Sequence, residues 1–230
     1  MTRTTKYAKA LGGALAPKAI ELAPGATASV IQGALHRAIV GVGPLPAAAE
    51  SARWQLHRND GDVDKAIRSL IRVHVALASS AGFATNIGGL VTVAVTLPAN
   101  LTGLAVIESR MVACIAHLRG YDINDPRVRN AILMAQLGEE RVRKQIKAKK
   151  LPGTPMAVAT APAYDPNLDR VVATEVATEM LTAIAGKRLA TTVGKHVPII
   201  GGAVGAGTDG WETYQIGRYA RREFLPRPTA

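Results

Sequence analysis

Three observations predict an all-α protein, a compact multi-helix bundle with close, glycine-lined helix packing. Apolar residues recur at three- and four-residue spacing in segment after segment, the period of an amphipathic helix. The junctions carry helix start signals: Asp62, Asp125-Pro126 and Asp165-Pro166. Each offers an N-cap acceptor, two of them with proline at the first helical position. The one stretch that can pass for a strand, Ile87 to Leu97, has no partner strand elsewhere in the chain.

Taken in order, Met1 to Leu22 is basic and alanine-rich and reads as a loose arm with a short helix. Its apolar run, Ala10 to Ala16, is short and mostly alanine and glycine, a poor signal-peptide core. Pro24-Gly25 breaks it. Thr27 or Ser29 then caps a helix carrying Val30, Ile31, Ala34, Leu35, Ile39 and Val42 on one face, closed by Gly41, Gly43, Pro44 and Pro46. A second helix spans about Ala47 to Arg58, with Trp54 its largest apolar group, and Asn59-Asp60-Gly61 turns the chain. Residues 1–60 are thus expected to form an N-terminal helical extension, and 61–226 the main domain. After Asp62, the residues Val63, Ala66, Ile67, Leu70, Ile71, His74 and Leu77 share a stripe opposite Lys65, Arg68 and Arg72. A histidine on such a stripe is expected to be a satisfied core residue.

Val73 to Ile107 contains no Asp, Glu, Lys or Arg, in a chain of which 20% is charged. It reads as a helical hairpin rich in small residues, which let backbones approach closely, with a break or kink at Pro98. It is either the buried heart of the fold or a surface offered to lipid. From Asn100, one helical face carries Leu101, Leu104, Ala105, Glu108, Met111, Val112, Ile115 and Leu118, with Arg110 and His117 pointing elsewhere. Glu108 is anomalous on that stripe: it must pair, be protonated or lie at the edge of the face beside an arginine. Gly120 ends this helix. The helix begun at Asp125-Pro126 carries Val128, Ile132, Leu133 and Leu137 and ends in a basic run through Lys150. Leu151 to Ala163 is an uncharged proline-rich loop, expected to pack over something. The helix after Asp165-Pro166 is expected to end at Gly186-Lys187-Arg188. Beyond Pro198, Gly201 and Gly205 stand four apart, as do Gly202, Ala206 and Gly210. Each interior glycine costs a helix about 1 kcal/mol relative to alanine, so this helix must lie close against another, within the fold or across a homodimer.

The chain has 230 residues, with 28 Lys plus Arg against 17 Asp plus Glu, a formal charge of +11. Such a surface attracts polyanions. Aromatics are only 4%, which leaves few stacking platforms and argues against nucleic acid as the partner. The single cysteine, Cys114, permits no internal disulfide and fits a reducing compartment. The run Gly201 to Gly207 lacks the Gly-Lys-Ser/Thr ending of a phosphate loop and the acidic residue of a dinucleotide fold. The histidines show no metal-ligand spacing, and no cofactor is indicated.

Several strings together resemble the EcsC family of bacterial proteins. They are Gly82 to Leu90 (GFATNIGGL), Leu97 to Leu101 (LPANL), Arg110 to Asp122 (RMVACIAHLRGYD) with Asp125-Pro126, and Lys195 to Gly202 (KHVPIIGG) continuing to Gly205. The resemblance covers roughly Val63 to Phe224. It implies a mostly helical, cytoplasmic or membrane-associated protein, linked by the family's name to a transporter operon and secretion, with no catalytic activity to carry over.

These readings lead to the expectation of a non-enzymatic, peripherally membrane-associated protein of the cytoplasm that binds membrane lipid or another apolar ligand. Phe83, Ile87, Leu90, Val91, Val95, Leu97, Leu101, Leu104, Met111, Ile200, Val204 and Trp211 would meet lipid. Lys144, Lys147, Lys149, Lys150, Lys187, Arg188 and Lys195 would hold anionic headgroups. One alternative is an accessory or scaffold protein docked on a membrane transporter or secretion system. Another is an enzyme built around Glu108, His117 and Asp122.

Overall fold

The structure, a computed structural model, describes residues 24–41, 46–87, 93–193 and 198–227, with side-chain surroundings for 28–41, 46–80, 103–179, 182 and 207–227. Among the described residues there are nine helices and no strand. They are α1 (Pro24–Val40), α2 (Ala48–Arg58), α3 (Val63–Ile87), α4 (Val93–Leu118), α5 (Pro126–Gln136), α6 (Gly138–Lys147), α7 (Pro155–Ala159), α8 (Pro166–Val193) and α9 (Pro198–Glu223).

α4 is the axis of the bundle, packed against α1, α2, α3, α5 and α9. The amphipathic pattern assigned it one buried face. Instead, its turns from Met111 to Ala116 are buried on every side. Glu108, Ser109 and Arg110 are also buried. Arg110 therefore does not point outward. Its guanidinium donates to the Pro46 carbonyl and to Ser51 Oγ, which pins the start of α2 to the core. Cys114 Sγ donates to the Ala48 carbonyl at 3.2 Å one turn further on. The N-terminal helices are consequently part of the bundle, α1 lying against both α4 and α8.

Most start signals act as their chemistry requires. Asp62 accepts from the Lys65 amide at 2.8 Å. Asp125 accepts from the Arg127 amide at 2.8 Å with Pro126 leading the helix. Gly120, at φ 84°, ends α4, and its amide donates to the His117 carbonyl at 3.0 Å. The carbonyl of Arg227 would lie 2.9 Å from a β-carbon there, so glycine also admits the crossing C-terminal strand of chain. Phe224 meets Tyr121 edge-on beside this turn, with centroids 5.1 Å apart.

Five boundaries differ from expectation. α1 starts at Pro24, ahead of Thr27, because proline fits the first helical turn. α4 runs through Pro98, which lies early enough to forfeit only one bond to the first turn. The helix begun at Pro126 divides at Gly138, whose φ of 76° is left-handed. α8 continues past Gly186 to Val193. The proline-rich segment contains α7, capped by Thr154 and packed on α5 through buried Val158 and Ala159. The expected arm, Met1 to Leu22, lies outside the described residues.

Candidate functional site: an uncharged end and an acidic cleft

α3 and α9 lie against each other along most of their length. A β-carbon at Gly217 would stand 2.9 Å from Ile71 Cγ1 and 3.1 Å from Met111 Sδ, and one at Gly210 would collide with Ser79 Oγ. Arg221 reaches Asp64 at 3.2 Å. These contacts set α3 antiparallel to α9. The Thr213–Glu108 hydrogen bond and the Met111–Gly217 contact set α4 parallel to α9. Arg141 bridges Glu179 at 3.6 Å and Glu212 at 3.9 Å, which levels α8 with α9, and Asn130 donates to Asp169 at 2.7 Å nearer the α4 C-terminus, so α8 runs antiparallel to α9. The register has one consequence: the C-termini of α3 and α8 and the N-termini of α4 and α9 come to the same end of the bundle.

Three of the four helices bring uncharged turns to that end. Val73–Ile87 on α3, Val93–Ile107 on α4 and Pro198–Thr208 on α9 contain no Asp, Glu, Lys or Arg. At 1.5 Å per residue these turns form a layer about 16–22 Å deep. On α8 the neutral layer is thinner, because Lys187 and Arg188 interrupt it within two turns of Val193. Val73 and Leu77, described positions within the layer, are exposed large apolar side chains. His74 beside them is buried, with Nδ1 2.9 Å from the Leu70 carbonyl and no partner for Nε2. Burial lowers its pKa to about 4, with the Arg110 charge acting in the same direction, so the layer stays neutral there.

Immediately beneath the layer, about four turns or roughly 21 Å from the helix ends, the chain places Glu108, Glu179 and Glu212. They line a cleft of about 880 Å³ between α4, α5, α6, α8 and α9. Glu108 is not an edge residue but is buried, accepting from Thr213 Oγ1 at 3.4 Å. Gln136, also buried, donates through Nε2 to Ser109 Oγ at 2.9 Å and to the Ile132 carbonyl at 3.5 Å. In this amide orientation, which the contact to the Ile132 carbonyl favours, the buried Oε1 is left without a partner. Glu179 accepts from Gln145 Nε2 at 2.9 Å. Leu104, Ile216 and Trp211 give the cleft an apolar wall, Trp211 being 59% exposed.

Of the residues expected to meet lipid, Leu104 and Trp211 line this cleft. Met111 does not face outward; it is fully buried against Gly217. Phe83, Ile87, Val95, Leu97, Leu101, Ile200 and Val204 fall within the uncharged turns of α3, α4 and α9, their side chains outside the described set, and Leu90 and Val91 lie outside the described residues. Of the expected headgroup cations, Lys144 lines the cleft. Lys147, Lys149 and Lys150 follow α6 away from the uncharged end, Lys150 pairing with Glu175 at 3.1 Å. Lys187 and Arg188 lie on α8 with side chains outside the described set, and Lys195 lies outside the described residues. Gln136 and Glu179 carried no signal in the sequence, because a glutamine or glutamate among core helices is indistinguishable from a structural hydrogen-bonding residue until its partners are known. Glu108, His117 and Asp122 are not assembled into one site: His117 is about 13 Å from Glu108 along α4, and Asp122 is exposed, accepting from the Asn124 amide.

Fold and site together define an all-helical protein with an uncharged end seated above an acidic cleft. The sequence model of the EcsC protein family matches residues 50–227, most of the chain, and the protein belongs to that family. Neither a curated protein nor a solved structure matches it.

Proposed function

We propose that the protein is a peripheral lipid-binding protein that dips its uncharged end into one leaflet of an anionic membrane. The observation that carries this reading is the register, which collects the uncharged turns of three long helices at one end. A layer about 16–22 Å deep is comparable to the hydrocarbon of a single leaflet, about 15 Å. No helix among the described residues is long and apolar enough to cross a membrane, which fits a dip better than a span. Exposed Trp211 and Tyr214 follow directly below the layer on α9, at the depth where aromatic side chains favour the membrane interface. The net charge of +11 supplies the attraction to anionic lipid.

The test is co-sedimentation with phosphatidylglycerol vesicles at low and moderate salt, beside Val73→Asp and Leu77→Asp. Both substitutions are at exposed positions, so they leave the core intact while adding charge to the layer. Binding by the wild type is expected, reduced at least about tenfold in Leu77→Asp, which lies about 15 Å from the end of α3 at the edge of one leaflet's hydrocarbon, and less in Val73→Asp, about 21 Å from that end. Absence of sedimentation at both salts overturns the reading and returns attention to a protein-docking role.

A further inference from the structure

We infer that the outward seam between α3 and α9 is the headgroup-binding face of the protein, so that the molecule meets an anionic bilayer leaning on this side. The inference rests on the membrane reading for its partner and on separate observations for its place. Ile71 and Gly217 meet across the two helices. In an antiparallel pair, the residues one after and three before such a contact turn to the same side. On α3 these are Arg72 and Arg68, and on α9 Arg218 and Tyr214. All four are exposed, on the side turned away from Thr213 and its bond to α4.

The seam gathers arginines without carboxylates to answer them. Among the described residues none pairs with Arg68, Arg72 or Arg218. Asp62 is taken by Lys65 at 3.5 Å. Asp64, at the foot of the seam, is shared by Arg119 at 2.9 Å and Arg221 at 3.2 Å. On α9, Glu212 turns to Arg141 and Glu223 accepts from the Met156 amide. Guanidinium groups left together in this way repel one another, and phosphate diesters set among them relieve the repulsion through paired hydrogen bonds. The height fits a lipid source. Arg72 stands about 22 Å from the end of α3, and Arg218 folds back over Tyr214, 5.8 Å from its ring, about 24 Å from the start of α9. Half a bilayer with its headgroups is about 20–22 Å thick. Trp211, 59% exposed, follows Gly210 on the same side and lies nearer the uncharged end. Arginine, tyrosine and tryptophan thus succeed one another up the seam, the order that suits a membrane interface.

The test compares two double variants of the full chain in co-sedimentation with phosphatidylglycerol vesicles at low salt. One is Arg72→Gln with Arg218→Gln on the seam. The other is Lys147→Gln with Lys149→Gln, exposed cations where α6 runs away from the uncharged end. Both doubles remove the same charge, so any loss of long-range attraction is common to them. The seam double is expected to lower partitioning by about thirtyfold, the effect of two basic groups at a headgroup surface. The α6 double is expected to lower it by less than about threefold, its positions lying beyond the reach of unscreened attraction. Arg68→Gln, at a third exposed seam position, is expected to lose about fivefold and keeps the test decisive if the seam double melts early. Equal losses in the two doubles, or a seam double that binds as the wild type does, overturn the assignment and leave the membrane reading standing. Equal binding of the wild type to phosphatidylcholine vesicles, which carry no net charge, also overturns it. Failure of the wild type to sediment with phosphatidylglycerol removes both.

Discussion

Replacing Gly217 by alanine tests the close α3–α9 packing on which the register depends. Two effects oppose each other. Alanine favours the helix over glycine by about 1 kcal/mol. The new methyl, however, would lie 2.9 Å from Ile71 Cγ1 and 3.1 Å from Met111 Sδ. Ile71 is 5% exposed and Met111 fully buried, so neither has free space to retreat into. Overpacking of this kind costs about 1–3 kcal/mol. Gly207 is the matched control, because it is exposed on the same helix and a β-carbon there would meet nothing within 4 Å. The helix-propensity contribution is common to both substitutions and cancels in the comparison. Gly217→Ala should therefore be less stable than Gly207→Ala by about 1–3 kcal/mol, roughly 2–12 °C in Tm for a domain of this size. Parallel urea and thermal melts of the two variants measure the difference. Equal stabilisation by both would refute the contact, and with it the register that brings the uncharged turns together.

Three further outcomes follow from the core. His74 has its pKa lowered to about 4 by burial, against 6.5 ordinarily. The unfolded chain therefore binds a proton that the folded one refuses between those values. The stability this neutral histidine allows is complete above about pH 6.5 and declines as pH falls toward 4, by about 3 kcal/mol in all; His74→Leu should flatten that part of a Tm-against-pH curve. Burial pushes the Cys114 thiol up to about 12, so a thiol reagent at neutral pH should label it only in denaturant, and rapid native labelling would contradict its place in α4. Arg110→Leu leaves the Pro46 carbonyl and Ser51 without their charged donor and should cost about 1.5–3 kcal/mol in urea melts; a loss below half a kcal/mol would show that α2 is not pinned through this residue.

The sequence by itself determined the helices, because each amphipathic stripe and each cap is local. Asp62, Asp125 and Gly120 act through backbone groups within a few residues, and their identities suffice. It also determined that a long segment without charge exists, and, through its Arg110–Asp122 and Lys195–Gly205 strings, the family. Tertiary structure decided what local pattern cannot express. Arg110 reads as solvent-facing on a helical wheel, but α4 is enclosed by five neighbours, so a polar residue there must find a buried partner. The same enclosure places Met111 inside, where an apolar residue on a stripe could equally have met lipid. Gln136 and Glu179 are distant in sequence from Glu108 and Trp211, and only packing puts all four on one cleft. Alignment of the uncharged turns at a single end is likewise a matter of register, set by glycines whose missing side chains let α9 approach α3 and by an arginine that spans two helices.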